Sequence, residues 1–332
     1  MKLAELGEFG LIERIRRLCP VQGEGVVLGI GDDCAIGDLP ADEELLTSTD
    51  LLIEDVHFCL DWTDWRRLGR KAVSVNVSDI AAMGGVPRHL YLGLGLPATA
   101  TVSQIEALAQ GIAERLGDYG MVLVGGDTCR SPGPLMLSVT VVGSAPKGEA
   151  LRRSGACPGD RLYVSGTLGA SALALQRLLA NEPLSPELAQ RHHDPEARVA
   201  LGRGLSSAGL AHAMIDLSDG LIADLGHICR ASAVGARIEL GRLPLCADLM
   251  VTAASPLRYD LALSGGEDYE LLAAIPPEKE SEVLALAEHL CLPLSCVGEV
   301  TSPGEPLQLI GHDGLPLTPD NVGFNHFAAT EP

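Results

Sequence analysis

Lysine is almost missing from this chain, four residues in 332, and the formal net charge is −20. A surface of that sign repels phosphodiester backbones and anionic lipid headgroups, so neither nucleic acid nor a membrane is expected as a partner. Aromatic residues are scarce as well, 3% beside 46% hydrophobic residues. A core with few rings must be filled by Leu, Val, Ile and Ala, the residues of sheets covered by helices, which favours α/β or α+β over a β-sandwich. The nine cysteines, Cys19, Cys34, Cys59, Cys129, Cys157, Cys229, Cys246, Cys291 and Cys296, are odd in number, dispersed and never spaced C-x-x-C. That pattern argues against a disulfide framework and against a zinc site, and it reads as buried thiols in the reducing cytoplasm. Long apolar runs are lacking too. The longest uncharged stretches, 90–105 and 131–146, contain proline and fall short of the ~18 residues of a membrane span. Glu5 and Glu8 interrupt the first apolar stretch, so no export signal is expected.

Familiar phosphate cradles are also absent. There is no G-x-x-x-x-G-K-[ST], no glycine-rich kinase loop with a strand lysine, and Gly29-Ile30-Gly31 lacks the third glycine of a dinucleotide fingerprint. G-x-S-x-G and H-E-x-x-H are missing as well.

What is present is a long series of short elements. The length of 332 residues exceeds the ~100–200 of one domain, so two domains are expected. Leu11, Ile12, Ile15 and Leu18 stand at helical spacing before Pro20 and predict an amphipathic opening helix over 6–18. Apolar runs at 26–31 and 45–53 are compatible with strands. Helices follow over 65–83 and 101–116, and strands over 89–96, 121–124 and 135–142, with Gly125-Gly126-Asp127 expected as a flexible loop. The stretch 143–160 is rich in Gly, Pro, Lys and Arg without a period, which sets the domain boundary at 1–145 and 146–332. Beyond it come strands over 161–165, 213–217 and 236–240 and helices over 170–179, 195–207 and 221–231. A strand over 261–263 runs into Ser264-Gly265-Gly266-Glu267-Asp268, followed by a helix over 280–290 and strands over 296–300 and 307–310. The expected architecture is two α/β (α+β) domains with mixed sheets covered by helices.

Aspartate recurs at the ends of these apolar runs: Asp32 and Asp33, Asp50, Asp79, Asp127, Asp216 and Asp219. Strands of one sheet end on a common edge, so side chains just past them can converge although far apart in sequence. Converging carboxylates repel, and a divalent cation removes the conflict. Hard oxygen ligands suit Mg²⁺, which uses a few carboxylates together with substrate phosphates. Metal then replaces lysine as the counter-charge for ATP. Each piece also has a structural reading: a turn at Gly31-Asp32-Asp33, a capping role for Ser48-Thr49-Asp50, an N-cap at Asp219, a core polar pair in Asn76 and Asp79. His57 reads equally as a packed surface histidine, and Cys34 and Cys129 as packing residues.

The chain resembles the thiamine-monophosphate kinase family, in the aminoimidazole-ribonucleotide synthetase superfamily. The resemblance runs through GEFGLIERI near the start, GIGDDCA at 29–35, STD at 48–50, VHF at 56–58, NVSDIAAMGG at 76–85 and GGDT at 125–128. It continues through RSGACPGD at 153–160, IDLSDGLIADLGHI at 215–228, LSGGEDYELL at 263–272 and GFNHF at 323–327. It implies direct transfer of the ATP γ-phosphoryl to thiamine monophosphate, giving thiamine diphosphate without a covalent nucleophile or dedicated general base. It also implies a homodimer whose N-terminal sheet is completed across the two-fold axis. Carried over by motif, Asp33, Ser48, Thr49, Asp50, Asp79, Asp127, Asp216 and Asp219 would hold several Mg²⁺ ions. Tyr119, Gly126, Asp127, Arg153 and Ser218 would contact ATP, and His57, Glu267 and Phe324 the substrate. Arg152 is an alternative to Arg153, and Asp32 to Asp33. Among sister enzymes of the superfamily, the carbamoyl-dehydrating one ends in a reactive cysteine where this chain reads Ala328-Ala329-Thr330-Glu331-Pro332, the selenide-phosphorylating one uses an N-terminal cysteine absent before Cys19, and the ATP-dependent cyclo-ligase is set apart by LSGGEDYELL and GFNHF. A non-catalytic cation-binding protein is the reading of a different class.

Overall fold

Leu11 and Ile15, one helical turn apart, are both buried, and they sit on the first element, α1 (Glu8–Leu18). The computed structural model describes residues 8–19, 21–30, 35–252, 255–317 and 323. The chain divides into two compact units, one made of Met1–Ile80 with Gly85–Gly148, the other of Ala81–Gly84 with Glu149–Pro332.

In the first unit α1 is followed by a small antiparallel pair, β1 (Val26–Leu28) and β2 (Ile36–Gly37). Then come β3 (Glu43–Ile53), α2 (Trp65–Ala82), β4 (Val86–Leu96), α3 (Val102–Tyr119), β5 (Val122–Arg130) and β6 (Met136–Pro146). The sheet order is β3-β6-β4-β5, with only β4 and β5 parallel. Period-two alternation decides the faces. Register rows such as Leu52–Leu137–Leu94 and Asp50–Val139–Leu92 run across one side, and their leucines and valines are buried. The other side carries Leu45 and Leu51, 59% and 53% exposed, together with Thr47 and Thr49. Helix α3 begins in a capping box between Thr101 and Gln104 and ends at Gly120 in the left-handed region, φ 67°. It meets α2 at Gly69 and Gly111, where a Cβ on either glycine would overlap backbone of the other helix.

The second unit contains β7 (Arg161–Ser165), α4 (Ala170–Leu179), α5 (Pro186–His193), α6 (Val199–Ser207), β8 (Ala213–Asp216), α7 (Leu221–Ser232) and β9 (Gly235–Glu239). It continues through α8 (Ala247–Thr252), α9 (Ser255–Ser264), β10 (Leu271–Ile275), α10 (Glu280–His289), β11 (Leu294–Thr301), β12 (Leu307–Ile310) and β13 (Pro316–Leu317). Among the described residues these strands form one mixed sheet, β13-β12-β9-β11-β7-β10-β8. Alternate residues feed two cores. Leu162, Val164, Ile215 and Leu272 pack with Leu173, Leu225 and Leu249, while Tyr163, Met214, Leu271 and Ala273 pack with Leu201, Leu205 and Val283. The sheet is therefore covered by helices on both faces, as the apolar composition without rings requires.

Three expectations are corrected. Gly125-Gly126-Asp127 is not a loop but the middle of β5. A register shift between Leu90 and Tyr91 brings β5 onto β4, and a Cβ at Gly126 would overlap the Leu92 carbonyl oxygen, so the glycines serve close strand approach at a bulge. Residues 261–263 lie in α9, because a three-residue apolar run has no period of its own and Asp260-Leu261-Ala262-Leu263 joins a helix stopped by Gly265-Gly266. The strand is the next run, Leu271–Ile275, buried throughout between β7 and β8. The cysteines are not uniformly buried: Cys19 and Cys246 are, whereas Cys129, Cys157 and Cys291 are exposed.

Candidate active site

Within the first unit, strand geometry separates Ser48 from Thr49. Ser48 and Asp50 point to the helix-covered side of β3, and the Ser48 hydroxyl donates to Asp79 Oδ2 at 2.5 Å from the last turns of α2. Thr49 faces the other way, its hydroxyl donating to the Val139 carbonyl at 3.1 Å and lying 2.8 Å from Thr140 Oγ1. The side chains of the STD run are thus split, Ser48 and Asp50 on one side of the strand and Thr49 on the other. The reason is the period of two, which a consecutive motif cannot evade on a regular strand. Asn76, one turn before Asp79, is fully buried; its amide donates to the Ala72 carbonyl at 2.9 Å, and its Oδ1 has no hydrogen-bond partner among the described residues.

Asp127 is exposed on β5. With Gly125, Gly126 and Thr128 it lines a small hollow whose walls are Ile12, Ile15, Ile30, Leu92, Leu94 and Leu123. The buried Thr128 Oγ1 is without a hydrogen-bond partner among the described residues. Tyr119 closes α3, its hydroxyl 3.3 Å from Ser74 Oγ, with the Arg115 guanidinium 5.8 Å from its ring centre. His57 follows β3 in a turn, where its Nδ1 accepts from the Ile53 N–H at 3.1 Å. That bond makes Nε2 the protonated nitrogen of the neutral ring. Asp32 and Asp33 lie outside the described residues, as does Phe324.

The second unit gathers more of the expected residues at one corner. Asp216 ends β8, buried, beside Leu271 of β10, and Ser218 and Asp219 follow it. The segment after α9 is tied to this turn by Glu267 N–H to Ser218 O at 2.8 Å, Tyr269 N–H to Leu217 O at 2.8 Å and Leu217 N–H to Glu270 O at 2.8 Å. Glu267 and Tyr269 are held in the left-handed region, φ 66° and 50°, a conformation that non-glycine residues adopt only where surrounding bonds enforce it. Gly323 sits against Asp219 O and Ala223, on the same turn. Arg153 is also near, since its charge and those of Arg230 and Asp219 act on His227, whose pKa is lowered first by burial and then by the two arginines.

Several residues here escaped the sequence reading. Asp224, on the first turn of α7, accepts the backbone N–H groups of Ser218, Asp219 and Gly220 at 3.1, 3.2 and 3.1 Å. Asp224 thereby holds the three turn amides that precede α7, while Gly220 at the helix N-terminus makes no side-chain cap. Burial pushes the Asp224 carboxyl up to about 7, with the Asp219 charge adding and the three N–H donors opposing. Ser171 Oγ and His192 Nδ1 are 2.8 Å apart and lie 3.5 and 3.6 Å from Glu267 Oε2, a frame for the carboxylate that the resemblance links to substrate. The signal for α5, which carries His192, is Ser185-Pro186-Glu187: Ser185 accepts the Leu188 N–H at 3.2 Å and proline follows at the first helical position.

Asp268 Oδ2 accepts the Gly169 N–H at 2.9 Å. Burial pushes its carboxyl up to about 7, helped by the Glu270 charge and opposed by this hydrogen bond and Arg191. A carboxyl raised above its unfolded value of about 3.9 binds its proton more tightly when folded, so the stability this gives is present at low pH and is lost as pH rises from about 4 to about 7. Asp224 adds to the same window. Unfolding free energy should therefore fall across it, each group contributing at most ~1.4 kcal/mol per pH unit. Asp268→Asn should flatten part of the slope in denaturant titrations stepped through this range; an unchanged slope would assign the proton elsewhere.

The sequence matches AIR synthase related protein, N-terminal domain, over residues 31–145 and the C-terminal domain of the same family over 157–307. It is 43% identical over 329 residues to the thiamine-monophosphate kinase of Escherichia coli O157:H7, covering 97% of this chain and 98% of that one. The crystal structure of thiamine-monophosphate kinase from Stenotrophomonas maltophilia K279a superposes with a TM-score of 0.82 at 38% identity, over 92% of this chain and 96% of the other. AaThiL complexed with AMPPCP and TMP superposes with a TM-score of 0.75 at 33% identity, over 98% and 99%. No helix among the described residues is long and apolar enough to cross a membrane.

Proposed function

From its membership of the thiamine-monophosphate kinase family, to which this chain belongs, we infer that it transfers the γ-phosphoryl group of ATP to the phosphate of thiamine monophosphate, giving ADP and thiamine diphosphate. The observation that carries this reading is the near-full-length match to these kinases, AaThiL having been solved with AMPPCP and TMP. The motifs of the resemblance account for the aspartates at strand ends that composition alone leaves unexplained.

The first unit, to about residue 145, carries in this reading the metal, nucleotide and dimer functions, and the second contributes metal, nucleotide and substrate contacts. In each unit the donors fit Mg²⁺: Ser48, Thr49, Asp50, Asp79 and Asp127 in the first, and Asp216 and Asp219 in the second, offer only oxygen, and Ser48 Oγ lies 2.5 Å from Asp79 Oδ2. Asp33 joins this set by motif. When bound, Mg²⁺ neutralises the phosphate oxygens and so lowers the repulsion between two anions. Tyr119, Gly126, Arg153 and Ser218 contact the nucleotide, and His57, Glu267 and Phe324 the acceptor. A phosphate with a second pKa near 6 is already ionised at neutral pH, so the chain needs no general base; its task is alignment. Ser171 and His192 hold the Glu267 carboxylate for that purpose.

Homodimer formation belongs to the same reading, supported by the open side of the four-stranded sheet, where Leu45 and Leu51 are more than half exposed. Light scattering at micromolar concentration should give twice the chain mass, and a monomeric mass would overturn the dimer. The reading itself is tested by identifying products after incubation with Mg-ATP and thiamine monophosphate. Thiamine diphosphate and ADP are expected, with free thiamine a poor acceptor. Equal turnover of free thiamine would sink the substrate assignment.

A further inference from the structure

We propose that Cys157, Asp160 and His212 form a binding site for a borderline divalent cation of the Zn²⁺ class, separate from the oxygen-only set assigned to Mg²⁺. Their donor atoms, one thiol sulfur, one carboxylate oxygen and one imidazole nitrogen, lie within 4.8 Å of one another. Tetrahedral Zn²⁺ with bonds of about 2.0–2.3 Å separates its ligands by roughly 3.3–3.8 Å, so a rotation of the exposed cysteine side chain closes the set. Mixed sulfur, nitrogen and oxygen donors select zinc-like ions over Mg²⁺, which takes oxygen.

The frame is built before any ion arrives. Asp160 is 3% exposed. Its Oδ2 accepts the Cys157 N–H at 2.8 Å, and its own N–H donates to the Cys157 carbonyl at 3.0 Å. Gly159 N–H to Val300 O at 2.9 Å and Val300 N–H to Asp160 O at 2.8 Å clamp this turn to the end of β11. His212 is anchored by its N–H to Ala274 O at 2.9 Å, and its Nδ1 lies 3.0 Å from both Asp160 carboxylate oxygens. The buried carboxylate is thus the fixed ligand, while the thiol and imidazole are open to solvent and leave a fourth position for water. Binding replaces the S–H proton by the metal, releasing one proton to solvent. The imidazole coordinates neutral, with its proton on the ring nitrogen that is not bound. Absence of C-x-x-C hid this set from the sequence, because its only thiol recruits a histidine 55 residues away (212 − 157).

The test uses the full chain, stripped of transition metals with chelator and held in excess Mg²⁺ so that oxygen-only sites are filled. Titration with Co²⁺ should give one equivalent per chain, with a near-ultraviolet thiolate-to-cobalt charge-transfer band, and Zn²⁺ should displace it. Cys157→Ser should abolish the band, and His212→Ala should weaken Co²⁺ binding about tenfold or more. No band in the unaltered chain, or an undiminished band in Cys157→Ser, would overturn the site. A second measurement needs no variant: Zn²⁺ should slow alkylation of Cys157 relative to the exposed Cys129 and Cys291, read by peptide mass. Equal rates with and without Zn²⁺ would also refute the proposal. Both readouts are independent of kinase turnover.

Discussion

Asp127→Asn is expected to give a folded protein whose turnover falls by about 10²-fold or more, equivalent to roughly 2.7 kcal/mol of lost transition-state stabilisation. The amide keeps the shape of the carboxylate and most of its hydrogen bonding, so folding is preserved while one negative charge is removed. Asp127 is exposed at the rim of the hollow lined by Gly125, Gly126 and Thr128, and Gly126 lies so close to Leu92 that no side chain fits. A purely structural aspartate on this strand would tolerate the change. A metal-binding one would not, and it would also leave a signature in stability. Without metal, converging carboxylates repel, so the variant should melt at a higher temperature in chelator, while the added stabilisation by Mg-ATP shrinks. The measurements are melting curves of both proteins in chelator and in Mg-ATP, with turnover at several Mg²⁺ concentrations. Near-normal turnover at low Mg²⁺ would remove Asp127 from the metal-binding set.

The second large effect lies in the core of the second unit. Glu270 is fully buried. Its Oε1 accepts from Arg191 Nη1 at 2.7 Å and Arg198 Nη2 at 2.5 Å, and its Oε2 from Arg198 Nε at 2.7 Å and Ser165 Oγ at 2.6 Å. Both guanidiniums are mostly sheltered from water, Arg198 more than Arg191, and a Cβ on Gly166 would overlap the carboxylate. Glu270→Gln would leave two desolvated cations facing a neutral amide. Breaking a buried charge pair by removing one partner typically costs ~3–5 kcal/mol, so the urea midpoint should fall markedly with an unchanged slope. A loss below about 1 kcal/mol would mean that water already screens the arginines.

How much of this was legible in the chain follows from the range of the forces involved. Helices α1, α2, α3, α4 and α7 were readable because apolar spacing, Gly120 and the Gly84-Gly85 stop are local signals. Asp216 and Asp219 stood out because a carboxylate at the end of an apolar strand has little structural reason to be there. The GGD segment was misplaced because glycine marks both loops and close strand contacts, and only the neighbouring Leu92 backbone decides between them. The 261–263 run was misassigned because three apolar residues carry no period. Thr49 could not be separated from Ser48 and Asp50 without knowing that the motif lies on a regular strand. His192 acts with Ser171, 21 residues away, and His212 with Asp160, 52 residues away, separations that no local pattern reports.

By itself, the sequence determined the apolar helix-and-strand content, the acidic surface, the absence of a phosphate-cradling lysine and, through ordered motifs, the family. Tertiary structure alone decided which face each STD side chain takes, which aspartate binds the turn before α7 and what holds Glu267 and Glu270. The physical reason is that propensity, periodicity and net charge are properties of a segment. Hydrogen-bond partners, burial and the pKa values that follow from them exist only after distant segments share one volume.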